Sequence, residues 1–177
     1  MIRIIPVGHA DRTLLDAVAR ALGREFRASC VVHDVALDAA FAHHPERNQY
    51  HSTLILERLA PANDVTLGVT ELDLYIPVLT FVFGEAQLGG TCAVVSYHRL
   101  GQELYGLPPD PALRTTRLIK EAVHELGHVA GLTHCDDYEC VMAPSHAVEW
   151  LDLKGPSMCM DCGGKAAAFA ELLITPL

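Results

Sequence analysis

Residues 124–134 read His-Glu-Leu-Gly-His-Val-Ala-Gly-Leu-Thr-His, and each recurring letter of this H-E-x-x-H-x-x-G-x-x-H run has a chemical use. His124 and His128 lie four apart, so on an α-helix their rings leave one face and can close on a single cation. Glu125 stands beside the first histidine, placed to take a proton from water next to that cation. Gly131 can adopt positive φ, ending the helix and turning the chain so that His134 reaches the same ion. Three neutral imidazoles suit Zn²⁺ and leave one coordination position for water, which is the arrangement of a catalytic site. The competing reading, a polar helix face of satisfied histidines, does not call for a glycine and a third histidine at these offsets.

A helix must carry these groups, and its signals are present. Pro108-Pro109-Asp110-Pro111 breaks whatever precedes it, Asp110 is a candidate N-cap, and Pro111 suits a first helical position. No proline interrupts Leu113 to Val129, and Leu118, Ala122 and Leu126 supply apolar positions at helical spacing.

Two close pairs of cysteines follow, Cys135 with Cys140 and Cys159 with Cys162. They read as a four-thiolate structural zinc site, with two disulfides or buried thiols as the alternatives. Nothing in the sequence signals secretion, and a reducing compartment disfavours disulfides. A structural zinc contributes on the order of 10 kcal/mol of folding free energy to a segment with little core of its own. Cys30 and Cys92 fall in apolar runs and read as small core residues. Met142 lies in Val141-Met142-Ala143-Pro144-Ser145, where Pro144 favours a turn; on position alone it is a gap-filling methionine.

Together, H-E-x-x-H-x-x-G-x-x-H-C-x₄-C-V-M followed by C-x-x-C closely resembles the archaemetzincins, a metzincin family of zinc metalloproteases. The resemblance is specific over residues 124–162 and extends less specifically through 83–90 and 93–96. It implies His124, His128 and His134 as ligands of a catalytic zinc and Glu125 as general base and acid. It implies Met142 as the methionine of a turn beneath that zinc, and Cys135, Cys140, Cys159 and Cys162 as ligands of a second, structural zinc. It also implies an edge strand, antiparallel to its neighbour, that overhangs the cleft and pairs with extended substrate. Phe83 to Leu88, with Gly84, Glu85, Ala86, Gln87 and Leu88 as substrate-binding residues, is the candidate; a plain hairpin with turn glycines is the alternative. Peptidase or aminopeptidase activity is the function the family implies. Some metzincins place a tyrosine two residues past the turn methionine; Pro144 stands there, so that helper is missing.

The upstream chain alternates strand and helix. Ile2 to Val7 predicts a strand, Asp11 to Gly23 a helix, and Phe26 to His33 a second strand. Residues 34–49 read as irregular and polar, the pair His43-His44 as a solvated loop rather than a metal site. Leu54 to Leu59 predicts a helix ended by Pro61-Ala62-Asn63-Asp64, Val65 to Thr70 a third strand, and Tyr75 to Phe83 and Cys92 to Tyr97 two more apolar stretches. This βαβαβ order predicts an α/β fold with a largely parallel sheet and right-handed crossovers. With the family resemblance, the expected architecture is metzincin-like: a twisted mixed, mostly parallel sheet of about five strands, an active-site helix, and a small C-terminal zinc-stabilised subdomain. The division falls at 1–131 and 132–177 of one catalytic domain.

Composition narrows the function classes. A net charge of −9 argues against nucleic-acid binding, and Lys154 is the sole Lys or Arg between Cys135 and Cys162, which makes the cysteine segment a poor phosphate binder. No stretch approaches the ~20 apolar residues of a membrane span. The N-terminus lacks a signal-peptide pattern, so a cytoplasmic protein without a pro-segment is expected. The expected function is zinc-dependent hydrolysis of peptides, by an aminopeptidase or oligopeptide hydrolase holding two zinc ions. A non-catalytic or latent two-zinc interaction domain is the other reading. Oligomeric state is not encoded in any motif.

Overall fold

The computed structural model describes residues 1–60 and 64–174. Its centre is a five-stranded sheet built from β1 (Ile2–Val7), β2 (Cys30–Val32), β5 (Val65–Thr70), β7 (Gly84–Ala86) and β8 (Cys92–Ser96), in the order β2-β1-β5-β8-β7. All neighbours are parallel except β7, which runs antiparallel to β8 on one edge. The residues 61–63 expected to end the second helix lie outside the described residues.

Alternation along the strands sorts two apolar faces. Ile2, Ile4, Leu67, Val69, Ala93 and Val95 point to one side, where α1 (Arg12–Glu25) and α3 (Pro111–Val129) cover them. Val7, Cys92 and Val94 point to the other, beneath Ile55, Leu56 and Leu59 of α2 (Ser52–Leu59). Burying each such leucine or isoleucine is worth about 1.5–3 kcal/mol, so the sheet and the site helix are held by the same apolar layer.

The second strand is shorter than the sequence suggests. Phe26 caps α1, and Arg27 takes a left-handed φ of 50° before the chain extends at Cys30. Residues 34–49, expected to be irregular, hold a 3₁₀ turn at Ala40–Ala42 and two short strands, β3 (His43–His44) and β4 (Gln49–His51). With β6 (Leu74–Tyr75) they form a second, three-stranded sheet in the order β3-β4-β6. Regular structure in the Tyr75–Phe83 stretch ends at Tyr75, and the chain then forms a loop that lines a groove.

The C-terminal residues add α4 (Val148–Leu153) and α5 (Met160–Ile174). Val141, Met142, Val148, Leu151, Cys162 and Ala166 pack into the same apolar cluster as α1 and α3. Arg117 of α3 clamps α4 by a two-pronged bond to Asp152 (2.8 and 2.6 Å) and also donates to Leu100 O (2.7 Å). Among the described residues no helix is long and apolar enough to cross a membrane.

Candidate metal centre

The helix α3 begins where its sequence says it should. The Asp110 carboxylate accepts from Leu113 N (2.9 Å), and Pro111 occupies the first turn, where its missing N–H leaves no bond unmade. Leu118, Ala122 and Leu126 are fully buried against the sheet, which fixes the opposite face of the helix toward the C-terminal residues. His124 reaches Val141 O in that segment, His128 reaches Leu132 O just past the helix end, and Glu125 faces the edge strand.

The helix ends in a Schellman motif. Gly131 has φ 88°, its N–H bonds His128 O (2.9 Å), and the Leu132 N–H reaches back to Gly127 O (2.9 Å). A side chain at φ 88° would be strained, so glycine is required. The turn does more than redirect the chain toward His134: it also brings Leu132 O within 2.7 Å of His128 Nδ1.

These contacts settle which ring nitrogens carry protons. A carbonyl oxygen only accepts, so His128 Nδ1 donates to Leu132 O, and His124 Nδ1 donates to Val141 O (2.8 Å). Both Nε2 atoms are therefore unprotonated in the neutral rings, yet they face each other at 3.1 Å. Two lone pairs at that distance cannot hydrogen-bond; they ask for a cation between them. Tetrahedral Zn²⁺ at ~2.0–2.1 Å from each nitrogen would separate two ligands by roughly 3.3–3.4 Å. One ring nitrogen of each of the three histidines lies within 4.8 Å of the others. The donor set and spacing fit zinc.

Burial, with the charge of Lys154 second, holds the His124 ring down to about 3, so it is neutral and ready to ligate at any physiological pH. Burial and then His128 lower His134 as well. Glu125, 5% exposed, is driven well above the ordinary carboxylate range by burial first and by the Glu121 carboxylate second.

Glu125 lies against the edge strand. A Cβ at Gly84 would be 2.7 Å from Glu125 Cγ and 2.8 Å from its Oε1, so glycine at 84 leaves room for the carboxylate. The groove between strand and helix has a volume of about 440 Å³. Gly84, Glu85 and Ala86 form one side, the three histidines and Glu125 the floor, and Pro144, Ser145 and His146 the far side. Strand β7 is shorter than the expected Phe83–Leu88, although Ser96 N to Phe83 O (2.7 Å) and Gln87 N to Cys92 O (3.0 Å) continue its ladder to both sides. Leu88 is exposed beyond the strand. Glu85 turns its carboxylate to Ser52 and Thr53 at the start of α2, which anchors the strand.

Met142 is fully buried under α3, where a Cβ on Gly127 would overlap its sulfur. Its carbonyl accepts from Cys135 N (3.0 Å), which ties the turn to the segment after His134.

The cysteines Cys135, Cys140, Cys159 and Cys162 form a second cluster, their sulfurs all within 4.8 Å of one another. Cys135 and Cys159 sulfurs are 3.9 Å apart, near the roughly 3.8 Å that a tetrahedral zinc with ~2.3 Å Zn–S bonds requires. All six cysteines are free thiols, and Cys159 N donates to Cys140 Sγ (3.2 Å). The backbone N–H of Cys162 lowers the Cys159 thiol, whereas burial raises Cys140 and Cys162. Cys92 is buried and Cys30 half-buried, both apart from the cluster. His43 is exposed and bonds Asn48 (3.4 Å), away from both centres.

Sequence reasoning missed Glu121, Lys154, Ser145, His146 and Phe81, which lines the groove beside Phe83 of the expected edge strand. Glu121 had a signal: it stands four before Glu125 and three before His124, so it shares their helix face. The others come from segments with no periodicity, and the folded chain brings Phe81, Ser145 and His146 to the groove and Lys154 next to His124.

Comparison with known proteins identifies close relatives. The model of peptidase family M54 matches residues 53–167. An archaemetzincin of Methanocaldococcus jannaschii is 41% identical over 159 residues, 90% of this chain and 88% of that one. The crystal structure of archaemetzincin from Archaeoglobus fulgidus, complexed with malonate, superposes with a TM-score of 0.83 at 41% identity, covering 93% of this chain and 98% of that chain. Archaemetzincin from Methanopyrus kandleri gives 0.82 at 32% identity, covering 96% and 94%.

Proposed function

The chain belongs to peptidase family M54 and is a zinc metalloprotease, and from that premise we propose that it hydrolyses short peptides as an aminopeptidase or oligopeptide hydrolase. The observation that carries this reading is the pair of unprotonated Nε2 atoms of His124 and His128, 3.1 Å apart in the groove that Glu125 also lines. His124, His128 and His134 would hold the catalytic zinc, and Cys135, Cys140, Cys159 and Cys162 a second, structural zinc. When bound at the histidines, zinc supplies a Lewis acid that makes water nucleophilic near neutral pH and draws charge from the scissile carbonyl.

The chain's own groups do the rest. Glu125 accepts the proton of the attacking water and returns it to the leaving amine. The free edge of β7 pairs with an extended peptide backbone, and Gly84 lets that backbone pass close to Glu125. Lined by Phe81, Phe83 and Ala86, the groove favours an apolar side chain next to the cleaved bond. We further propose a cytoplasmic protein organised as a catalytic part, 1–131, and a zinc-stabilised part, 132–177.

Glu125→Gln tests the reading. At matched zinc content, turnover should fall by about 10²–10⁴-fold, the usual worth of a positioned base. Equal turnover by both proteins would remove Glu125 from the chemistry. If neither protein cleaves a library of free and N-terminally blocked peptides, the non-catalytic two-zinc reading replaces this one. Cleavage of free-ended peptides alone would make it an aminopeptidase. Malonate, the ligand of the Archaeoglobus fulgidus complex, is a suitable inhibitor to try.

A further inference from the structure

Lys154 closes α4, and its ammonium is almost wholly enclosed, with its residue 2% exposed. Taking a lysine out of water is unfavourable unless its donors are used. Two are: Nζ donates to Ala143 O (3.1 Å) in the turn that carries Met142, and to Glu121 Oε1 (3.3 Å) on α3. Nζ also lies 3.5 Å from His124 Nδ1, but that nitrogen has already given its proton to Val141 O and has no lone pair to offer. Lys154 and His124 are therefore neighbours that share a framework rather than partners.

That framework has three supports meeting at one place. Helix α3 provides Glu121 and His124, one turn apart on the same face. The turn provides two carbonyls, Val141 O to the histidine ring and Ala143 O to the ammonium. Helix α4, which provides Lys154, is itself fastened to α3 by Arg117 to Asp152 and by Lys120 Nζ to Leu151 O (2.6 Å).

We propose that Lys154 is a positioning residue of the metal site: by bonding Glu121 on α3 and Ala143 O in the turn, it fixes the turn against the helix and so aims Nε2 of His124. Val141 O steers the ring only while the turn keeps its height above α3, and the Lys154 ammonium is bonded to both. Partners that orient a metal-ligating histidine are typically worth 10–100-fold in metal affinity or activity. The inference rests on the proposed zinc site, and its test separates the two.

Lys154→Met alone leaves Glu121 buried and unpaired and can unfold the chain, so the working variant is Lys154→Met with Glu121→Gln, which removes both charges. The control is Glu121→Gln, which keeps an acceptor for the ammonium and thus the strut. Thermal melting of the zinc-free proteins, zinc affinity of the histidine site by chelator competition, and kcat and KM at saturating zinc are measured for each. The double variant is expected to bind zinc about 10–100-fold more weakly than Glu121→Gln, and to have a lower kcat than Glu121→Gln with the same KM. A double variant that holds zinc and turns over as Glu121→Gln does would overturn the proposal. A parent protein that binds no zinc at the histidines would instead sink the proposed function.

Discussion

Gly127 of α3 and Met142 of the following turn pack so closely that a single methyl at 127 would overlap the methionine sulfur. A glycine in mid-helix normally weakens the helix by about 1 kcal/mol relative to alanine, so propensity alone favours Gly127→Ala. Overpacking a filled interior costs about 1–3 kcal/mol, and Met142 is fully buried with no open side to move into. The overlap should win. Gly127→Ala is expected to lower the melting temperature and weaken zinc retention; a variant that melts higher and keeps its zinc would show that the turn is free to shift.

Gly84→Ala probes the other side of the groove. Its Cβ would sit 2.7 Å from Glu125 Cγ and 2.8 Å from Val94 O, and the backbone oxygen cannot give way. The carboxylate must move. A displacement of about 1 Å in a reacting group can cost roughly 100-fold. Peptide turnover should fall by that order with zinc content unchanged, and undiminished kcat would contradict the close approach.

Sequence carried the ligand set because helix geometry is local: offsets of four and three, a glycine that must take positive φ, and the cap at Asp110 fix His124, Glu125 and His128 without knowledge of the fold. The parallel pairing of β1 and β5 was legible from the strand–helix–strand order, since each is a continuous apolar run between breakers; Cys92 to Tyr97 showed an apolar stretch but not where β8 sits in the sheet. The second sheet was not legible. His43, His44, Gln49 and Tyr50 give no alternating apolar pattern; β3 pairs with β4, and β4 with β6 some 25 residues on. Lys154 entered the sequence reading only as the sole Lys or Arg between Cys135 and Cys162, because its partners, Glu121 and Ala143 O, lie 33 and 11 residues away. Burial at that distance leaves no trace in spacing.

The two metal clusters should separate under mutation. Replacing Cys159 and Cys162 with serine is expected to reduce bound zinc from two ions per chain to one, measured by elemental analysis. Structural zinc is worth on the order of 10 kcal/mol to its segment, so α5 should also lose protection from amide exchange. Retention of two zinc ions would remove the cysteines from the ligand set.

The metal-free protein should report His124 through its pH dependence. Its folded value lies near 3, well below the ordinary ~6.5, because burial and then Lys154 oppose the charge. The unfolded chain therefore takes up the proton first, and stability from this ring, complete above about pH 6.5, is lost as pH falls toward 3. Glu121 and Glu125, raised by burial, act with the opposite sign, losing stability as pH rises through their folded values. The difference between parent and His124→Gln isolates the histidine. Measured by denaturant unfolding in a chelator, it should move in favour of the variant from about pH 7 to about pH 4. A difference independent of pH would contradict a neutral, buried ring.

Anomalous diffraction at the zinc edge locates the ion held by the three histidines. A crystal of the zinc-loaded protein should give one peak about 2.0–2.1 Å from a nitrogen of each of His124, His128 and His134, with the fourth position open to solvent beside Glu125. A peak that misses any of the three rings, or a protein group closing the fourth position, would contradict this coordination.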